Sequence, residues 1–263
     1  MYVKTPITKQ QRAIMSLLYE YRFLHRRHVQ VFLQHKSNAR VALWLKDLRE
    51  KGYVAWFYSK ATLTSKNTPA VYFLSRQGLK VLQKELQYPP EVLRVRAKDA
   101  ERSQTLQERH LLIADACLAL KHRDQPKHLP ILPVHFAQAP HNSEFLTALK
   151  PHLFFEKQVT PVPSYFVLEL LSASLPTYRL TKRLRDYLHF LTFEWDDTNG
   201  HPPTALFICP TAGMRSTVER YLRKILHESN QDEMPSIRLT TLDRVRQLGI
   251  AGAVWEPPLL SDK

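Results

Sequence analysis

Residues 37–58 read SNARVALWLKDLREKGYVAWFY, and two different periodicities meet within this stretch. Up to Lys51 the apolar residues recur every three or four positions, as they do on one face of a helix. After Gly52 the residues become aromatic and β-branched, which favours a strand. The stretch therefore predicts a helix that Ser37 or Asn38 caps and that Gly52 ends, with a strand directly behind it.

The flanking sequence completes a small module around this helix. Two further helices are predicted upstream, from Thr8 to about His25 and over Arg27–Gln34, because their apolar residues also keep a helical spacing. Downstream, Ala70–Leu74 predicts a second strand, and the polar residues between the strands suit a hairpin tip. Three helices followed by a two-stranded hairpin is the order of a winged helix-turn-helix, whose third helix enters the major groove of DNA.

The charge of the 263-residue chain, +14 in total, is concentrated in its first part. Residues 1–110 carry 21 Lys and Arg against 8 Asp and Glu, a net charge of +13, whereas the remaining residues have a net charge of only +1. Such an excess over one module predicts a polyanionic partner, and double-stranded DNA is favoured over a membrane surface. The alternative is that the charge only aids solubility.

The predicted third helix and hairpin carry the candidate DNA contacts. Asn38 lies near the start of the helix and is suited to contact a base edge. The cations of the helix are suited to base edges or phosphates. The cations of the hairpin tip are suited to phosphates or the minor groove. The residues expected to bind DNA are Ser37, Asn38, Arg40, Lys46, Arg49, Lys60 and Lys66. The competing interpretation is an ordinary solvated helix face.

The rest of the chain predicts an α+β protein of two domains, residues 1–90 and 91–263. A helix is expected over 75–86 and a long helix over 91–120, which links the domains or pairs in a dimer. Short apolar runs further on predict strands at Pro130–Phe136, Leu153–Glu156, Ser164–Leu171, Ala205–Cys209 and Ser236–Thr240. Helical patterns lie between the later strands, at Thr177–Trp195 and Met214–Glu228.

Several short motifs occur in a fixed order along most of the chain. They are Leu43–Val54, Tyr72–Gly78, Leu149–His152, Tyr165–Glu169, the helix with Lys182, Arg183 and Tyr187, Ala205–Thr211 with Arg215, Thr240–Asp243 and Gly252–Trp255. In this order they resemble the replication-relaxation family of plasmid and mobile-element proteins. The resemblance implies an N-terminal winged helix, a nuclease-like αβββαβ domain at the C-terminal end, and a role in replication or mobilisation control.

The resemblance also implies where a metal site would lie, and the sequence departs from that pattern. Related nucleases hold Mg²⁺ with an Asp after a Pro and with an acidic residue in the next strand, two positions before a Lys. Here Pro151 is followed by His152 where the pattern has Asp, and Leu171 stands two positions after Glu169 where the pattern has Lys. One carboxylate holds a hard divalent cation poorly. We therefore expect no metal-dependent cleavage, no cofactor and no catalytic residue, and a structural ion pair of Glu169 with Arg179, Lys182 or Arg183.

Two other functions remain open on the sequence. One is a DNA-nicking or relaxing enzyme that uses Tyr187 as a nucleophile or a metal site centred on Glu169. The other is a transcriptional regulator, which would share the same DNA contacts. A homodimer and a replication or transfer protein are further expected partners.

The compartment is expected to be the cytoplasm. No apolar stretch is long enough for a membrane span, and the first residues lack a secretory signal. Cys117 and Cys209 are too few for a disulfide framework, which is typical of a reducing environment.

Overall fold

The computed structural model describes residues 6–58, 69–86, 90–124, 130–138, 143–157, 164–195, 201–229, 235–252 and 254–259. The helices are α1 Lys9–Tyr21, α2 Arg26–Phe32, α3 Asn38–Glu50, α4 Arg76–Leu86, α5 Pro90–Arg96, α6 Gln104–Asp124, α7 Ser143–Leu149, α8 Thr177–His189, α9 Ala212–Glu228 and α10 Leu242–Leu248. The strands are β1 Leu24–His25, β2 Val54–Phe57, β3 Val71–Leu74, β4 Leu153–Lys157, β5 Ser164–Leu170, β6 Thr204–Cys209 and β7 Ile237–Thr241. The predicted α+β class is confirmed. The chain forms two compact units, residues 1–118 and 119–263.

The first unit contains an antiparallel sheet in the order β1-β3-β2. All four residues of the central strand β3 are buried, because both faces of the sheet are covered. On one face Phe73 forms a cluster with Phe23 and Val71, and Leu106 and Leu111 of α6 pack against this cluster. Helix α1 also contacts β3, and α1, α2 and α3 contact one another. The short strand β1, which the sequence assigned to the first helix, completes the sheet.

Helix α3 begins and ends as its sequence predicts. The hydroxyl of Ser37 accepts a hydrogen bond of 3.2 Å from the backbone N–H of Arg40, so Ser37 is the N-cap. At the other end Gly52 has a φ of +77°, in the left-handed region that favours glycine. The N–H groups of Gly52 and Tyr53 donate to the carbonyls of Arg49 and Leu48, both at 2.9 Å, which satisfies the last turn of the helix.

The start of α4 packs directly against the turn behind α3. Ser75 donates its backbone N–H to the carbonyl of Tyr53 at 3.0 Å, and its hydroxyl accepts the N–H of Gly78 at 3.0 Å. A Cβ atom at Gly78 would lie 2.1 Å from the carbonyl oxygen of Tyr53. Only glycine therefore allows the two backbones to approach this closely, and the motifs at 43–54 and 72–78 form one contact.

The single long helix predicted over 91–120 is wrong, because it is interrupted between α5 and α6. A 3₁₀ turn at Asp99–Glu101 separates the two helices. The side chain of Asp99 is buried there in an ion pair with Arg22, whose Nη2 and Nε lie 2.6 and 2.7 Å from Oδ1. This ion pair joins the 3₁₀ turn to the residue that caps the C-terminal end of α1. The first compact unit extends to residue 118, whereas the sequence predicts a boundary at 90.

The second unit is built on a four-stranded sheet in the order β4-β5-β6-β7. Strands β4 and β5 are antiparallel, whereas β5, β6 and β7 run parallel. Helices α8 and α9 contact each other, and their apolar residues form one core with one face of the sheet. The almost fully buried members of this core include Tyr187, Phe190, Phe207, Val167, Leu184, Leu222 and Leu239.

The strand predicted at Pro130–Phe136 is wrong. Ile131 alone forms a bridge, exchanging hydrogen bonds of 2.7 and 3.1 Å with Phe154, and a 3₁₀ helix follows at Pro133–Gln138. Pro130 and Pro133 flank the bridge and have no N–H to donate, so the pairing cannot extend into a ladder. Among the described residues, β4 and β5 are therefore the two consecutive strands before α8, where the sequence predicted three. The structure also contains the short helices α7 and α10, which the sequence did not predict.

The close approach at Gly78 gives a prediction about stability. The substitution Gly78→Ala places a methyl group against a backbone carbonyl, so we expect the free energy of unfolding to fall by about 1–3 kcal/mol or more. Urea denaturation followed by circular dichroism measures the change. Gly213→Ala is the matched control, because a Cβ at this helical position has nothing within 4 Å. The control should be neutral or slightly stabilising, and equal effects of the two substitutions would refute the close approach.

Candidate functional site

Helix α3 exposes three of the seven predicted DNA contacts to solvent. Asn38, Arg40 and Lys46 are all exposed. The nitrogen Nζ of Lys46 lies 3.8 Å from Oε1 of Glu50, and because both side chains are largely exposed this ion pair is weak. The helix therefore exposes a polar first residue and two accessible cations to solvent.

The remaining predicted contacts have different positions. Ser37 is exposed and serves as the N-cap of α3, and a contact with DNA is a second role that stays a prediction. Arg49 is half-buried, and its guanidinium carbon lies 3.6 Å from the centre of the Trp56 ring. Lys60 and Lys66 lie outside the described residues.

Three exposed side chains near this face were missed by the sequence reasoning. Leu43 is 56% exposed and lies three positions from both Arg40 and Lys46, so a helical wheel places it between these cations. Trp56 and Tyr58 are 37% and 41% exposed, and their rings stack with centroids 5.2 Å apart. Apart from its strand propensity, nothing in the sequence marks this aromatic pair as part of a surface. The surface beside α3 is thus both cationic and aromatic.

In the second unit, polar side chains gather around Glu169 of β5, which is only 7% exposed. Arg183 of α8 binds this carboxylate through two nitrogens, with Nε 3.1 Å from Oε1 and Nη2 2.9 Å from Oε2. Of the three cations that the sequence offered as partners of Glu169, this geometry selects Arg183. A paired guanidinium and carboxylate in this fork-like arrangement is among the strongest polar contacts in proteins.

Two further side chains converge on the same carboxylate. Tyr187, one helical turn after Arg183, is fully buried and donates its hydroxyl to Oε2 of Glu169 at 2.8 Å. Its ring packs edge-on against Phe207, with centroids 4.8 Å apart. The Nδ1 atom of His152 lies 3.2 Å from Oε2 of Glu169 and 3.2 Å from the backbone nitrogen of Leu170. Nδ1 donates to Glu169 when it carries a proton and accepts from Leu170 when it does not.

Arg183 also joins this cluster to the end of α7. It donates to the carbonyl of Leu149 and, at 3.1 Å, to the carbonyl of Lys150. Lys150 has a φ of +48°, so the chain turns sharply at the end of the helix and directs both carbonyls to one donor. The segments 149–152, 165–169 and 183–187, which are distant in sequence, therefore meet at a single buried centre.

The protonation of this centre follows from its contacts. Burial by itself would raise the pKa of Glu169, but the charge of His152 and the hydrogen bonds from His152 and Arg183 outweigh it and lower the pKa to about 2. Burial, and then the negative charge of Glu169, hold the pKa of Tyr187 well above its ordinary value. At neutral pH the carboxyl is ionised and the phenol is neutral.

This arrangement does not fit a divalent metal ion or a tyrosine nucleophile. Both oxygens of Glu169 are engaged by hydrogen-bond donors, and the position after Pro151 holds an imidazole that contacts the same carboxylate. Within the described ranges no group of three or more His, Cys, Asp and Glu residues is placed to hold a metal ion. A neutral phenol with no exposed surface is a poor nucleophile toward a phosphodiester.

The fold and these two sites define an α+β protein with a basic helical unit and a mixed-sheet unit that has a buried ion pair at its centre. The chain belongs to the replication-relaxation family, whose model matches residues 15–203. The match includes the motifs at 43–54, 72–78 and 149–152 and all four side chains of the Glu169 cluster. Family membership relates the chain to replication.

Comparisons with other known proteins add little to this assignment. No curated protein matches the chain. The restriction endonuclease FokI bound to DNA is similar with a TM-score of 0.33 and 12% identity, over 91% of this chain and 44% of that one. A second FokI structure gives a TM-score of 0.30 and 11% identity, over 88% and 42%. The chain thus spans less than half the length of FokI, and at these scores the likeness carries no conclusion. No helix in the described parts of the chain is long and apolar enough to cross a membrane.

The Glu169 cluster gives a pH-dependent prediction. Glu169→Gln leaves the guanidinium of Arg183 without its charge partner, so we expect the free energy of unfolding at pH 7 to fall by about 3 kcal/mol. Because the folded pKa of about 2 lies below the ordinary value of 4.5, the ionised carboxyl stabilises the protein above pH 4.5 and loses this effect as the pH falls toward 2. The gap between wild type and variant should therefore narrow over this range in urea denaturation series.

Glu228→Gln is the matched control, since Glu228 forms a largely exposed ion pair with Arg185 at 2.8 Å. Its effect should stay below about 1 kcal/mol. A gap between wild type and Glu169→Gln that remains constant from pH 7 to 3 would contradict the assigned ion pair.

Proposed function

We propose that the chain is a double-stranded DNA-binding protein of a plasmid or other mobile element that acts in replication or mobilisation control. Its first unit is proposed as a winged helix-turn-helix that binds the duplex through α3. Its second unit is proposed as a catalytically degenerate nuclease-like domain. Membership of the replication-relaxation family supports the general role.

The observation that carries the DNA-binding proposal is the exposed cationic face of α3. The first unit begins with three helices, with the short strand β1 between α1 and α2, and the antiparallel strands β2 and β3 follow α3. This order supports a winged helix. In such modules the N-terminal residues of the third helix reach base edges. Asn38 and Arg40 lie in that part of α3, and residues 1–110, which include this helix, have a net charge of +13.

The Glu169 cluster supports the proposal for the second unit. A guanidinium binds the one carboxylate that remains from the metal-binding pattern, and it supplies the positive charge that a metal ion otherwise provides. The cluster therefore stabilises the fold without offering open coordination positions. This unit is proposed as the scaffold for a second copy of the chain or for a replication or transfer protein, and its exposed Tyr178 and Phe193, each 67% exposed, supply apolar surface.

Charge reversal on α3 tests the DNA-binding proposal. We expect Arg40→Glu with Lys46→Glu to weaken binding to a labelled duplex by about 10-fold or more, because two phosphate or base contacts become repulsive. The slope of log affinity against log salt concentration should become less steep by about 2, since each phosphate contact contributes about 0.9. Fluorescence anisotropy over a series of NaCl concentrations measures both quantities.

The matched control is Lys80→Glu with Lys84→Glu, which changes the net charge equally at two exposed positions of α4 in the same unit. The control pair should weaken DNA binding several-fold less than Arg40→Glu with Lys46→Glu. If both pairs weaken binding alike, the interaction depends on overall charge and the assignment of α3 as the recognition helix fails.

The enzymatic alternative has its own test. Supercoiled plasmid incubated with the protein and Mg²⁺ should remain supercoiled, because the oxygens of Glu169 are engaged and Tyr187 is buried. Agarose gel electrophoresis separates supercoiled from nicked plasmid, with a nicking endonuclease in the same buffer as the positive control. Nicked or relaxed product that disappears with Glu169→Ala or Tyr187→Phe would establish the enzyme instead.

A further inference from the structure

We infer that Trp56 is a positioning residue that holds the guanidinium of Arg49 for a phosphate of the DNA backbone. This inference rests on the proposed function and adds to it a residue that no motif identified. Trp56 lies on β2 and Arg49 in the last turn of α3, with the guanidinium carbon 3.6 Å from the centre of the indole ring. At this distance the planar cation lies against the face of the ring.

The stacked arrangement leaves the donors of Arg49 available. A guanidinium carries its N–H groups in its plane, so a ring that covers its face does not obstruct them. The side chain of Arg49 forms no hydrogen bond or ion pair with any described residue, whereas its neighbours Asp47 and Glu50 are paired with Lys51 at 2.7 Å and Lys46 at 3.8 Å. Among the described residues, no acidic side chain of α3 is therefore paired with Arg49.

Trp56 also restricts the motion of a long side chain before any ligand binds. Ordering a rotamer-rich side chain opposes association, and a side chain that is already held loses less freedom on binding. The ring of Trp56 is itself supported by Tyr58 and Tyr72, with centroids 5.2 and 5.8 Å away. Arg49 is therefore presented from a fixed platform, in contrast to the largely exposed Lys46.

The position of Arg49 indicates a phosphate as its partner. Base edges are reached from the N-terminal part of a recognition helix, and Arg49 lies at the opposite end, next to the strand that leads into the hairpin. Groups flanking the helix and the hairpin contact the backbone of the duplex. A guanidinium fork binds two phosphate oxygens at once, which an ammonium group cannot do.

A double-mutant cycle tests the inference on the full chain. Wild type, Arg49→Gln, Trp56→Leu and the double variant are compared by anisotropy with a labelled duplex of arbitrary sequence at several NaCl concentrations. Arg49→Gln should weaken binding and make the salt slope less steep by about 0.9. Trp56→Leu should weaken binding by about 2- to 5-fold in the wild-type background and have no further effect in the Arg49→Gln background.

Conservative variants separate positioning from a general structural role. Trp56→Tyr keeps an aromatic face and should restore most of the affinity lost with Trp56→Leu. Arg49→Lys keeps the charge but not the planar fork, so it should retain the salt slope and bind several-fold more weakly than wild type. Thermal unfolding reveals whether Trp56→Leu folds. If it does not fold, Arg49→Lys still tests the inference, because an Arg49→Lys variant that binds DNA as tightly as wild type would overturn it.

Other outcomes are equally decisive. An equal loss from Trp56→Leu in both backgrounds would mean that Trp56 contacts DNA itself, by stacking on a base. A change of affinity with base sequence that disappears in Arg49→Gln would mean that Arg49 reads a base edge. If the wild-type chain shows no salt-dependent binding, the proposed function itself fails. If the wild type binds and Arg49→Gln binds equally well, only the inference about Arg49 and Trp56 fails.

Discussion

The geometry of the first unit depends on two glycines that let the backbone turn and approach itself. Gly52 takes a left-handed conformation that ends α3, and Gly78 lets α4 approach to a distance at which a Cβ would lie 2.1 Å from the carbonyl of Tyr53. Together they fix the direction in which β2 leaves the helix. That direction brings Trp56 to Arg49, seven positions earlier, and it leaves the outer face of α3 open. A turn made of backbone contacts thus determines which side chains form the candidate DNA surface.

The second unit is organised by one buried carboxylate. Glu169 receives donors from α8 and from the segment before β4, so the sheet, the helix and the preceding turn are joined by polar contacts inside an apolar core. Burying a charge is favourable only when its partners are complete, and here both oxygens are satisfied. The same completeness removes the open positions that metal chemistry requires. The contacts that stabilise the buried carboxylate are thus the same contacts that occupy its two oxygens.

Much of the fold could be predicted because it depends on local signals. The cap at Ser37, the stop at Gly52 and the periodicity of α3 and α9 are all properties of neighbouring residues. The break between α5 and α6 could not be predicted, because the side chain of Asp99 is drawn inward by Arg22, which lies 77 positions earlier. The bridge at Ile131 failed to become a strand because of two flanking prolines, a signal that was present in the sequence and was outweighed by its apolar character.

The candidate sites divide in the same way. The sequence by itself determined the uneven charge, the cations of α3 and the missing Asp and Lys of the metal-binding pattern, because charge and residue identity do not depend on folding. Only the tertiary structure decided that Arg183 is the partner of Glu169, that Tyr187 is buried, and that Trp56 lies beneath Arg49. Each of these is a contact between different elements, and the spacing of residues along the chain does not specify which side chains will meet across a packed core or a strand edge.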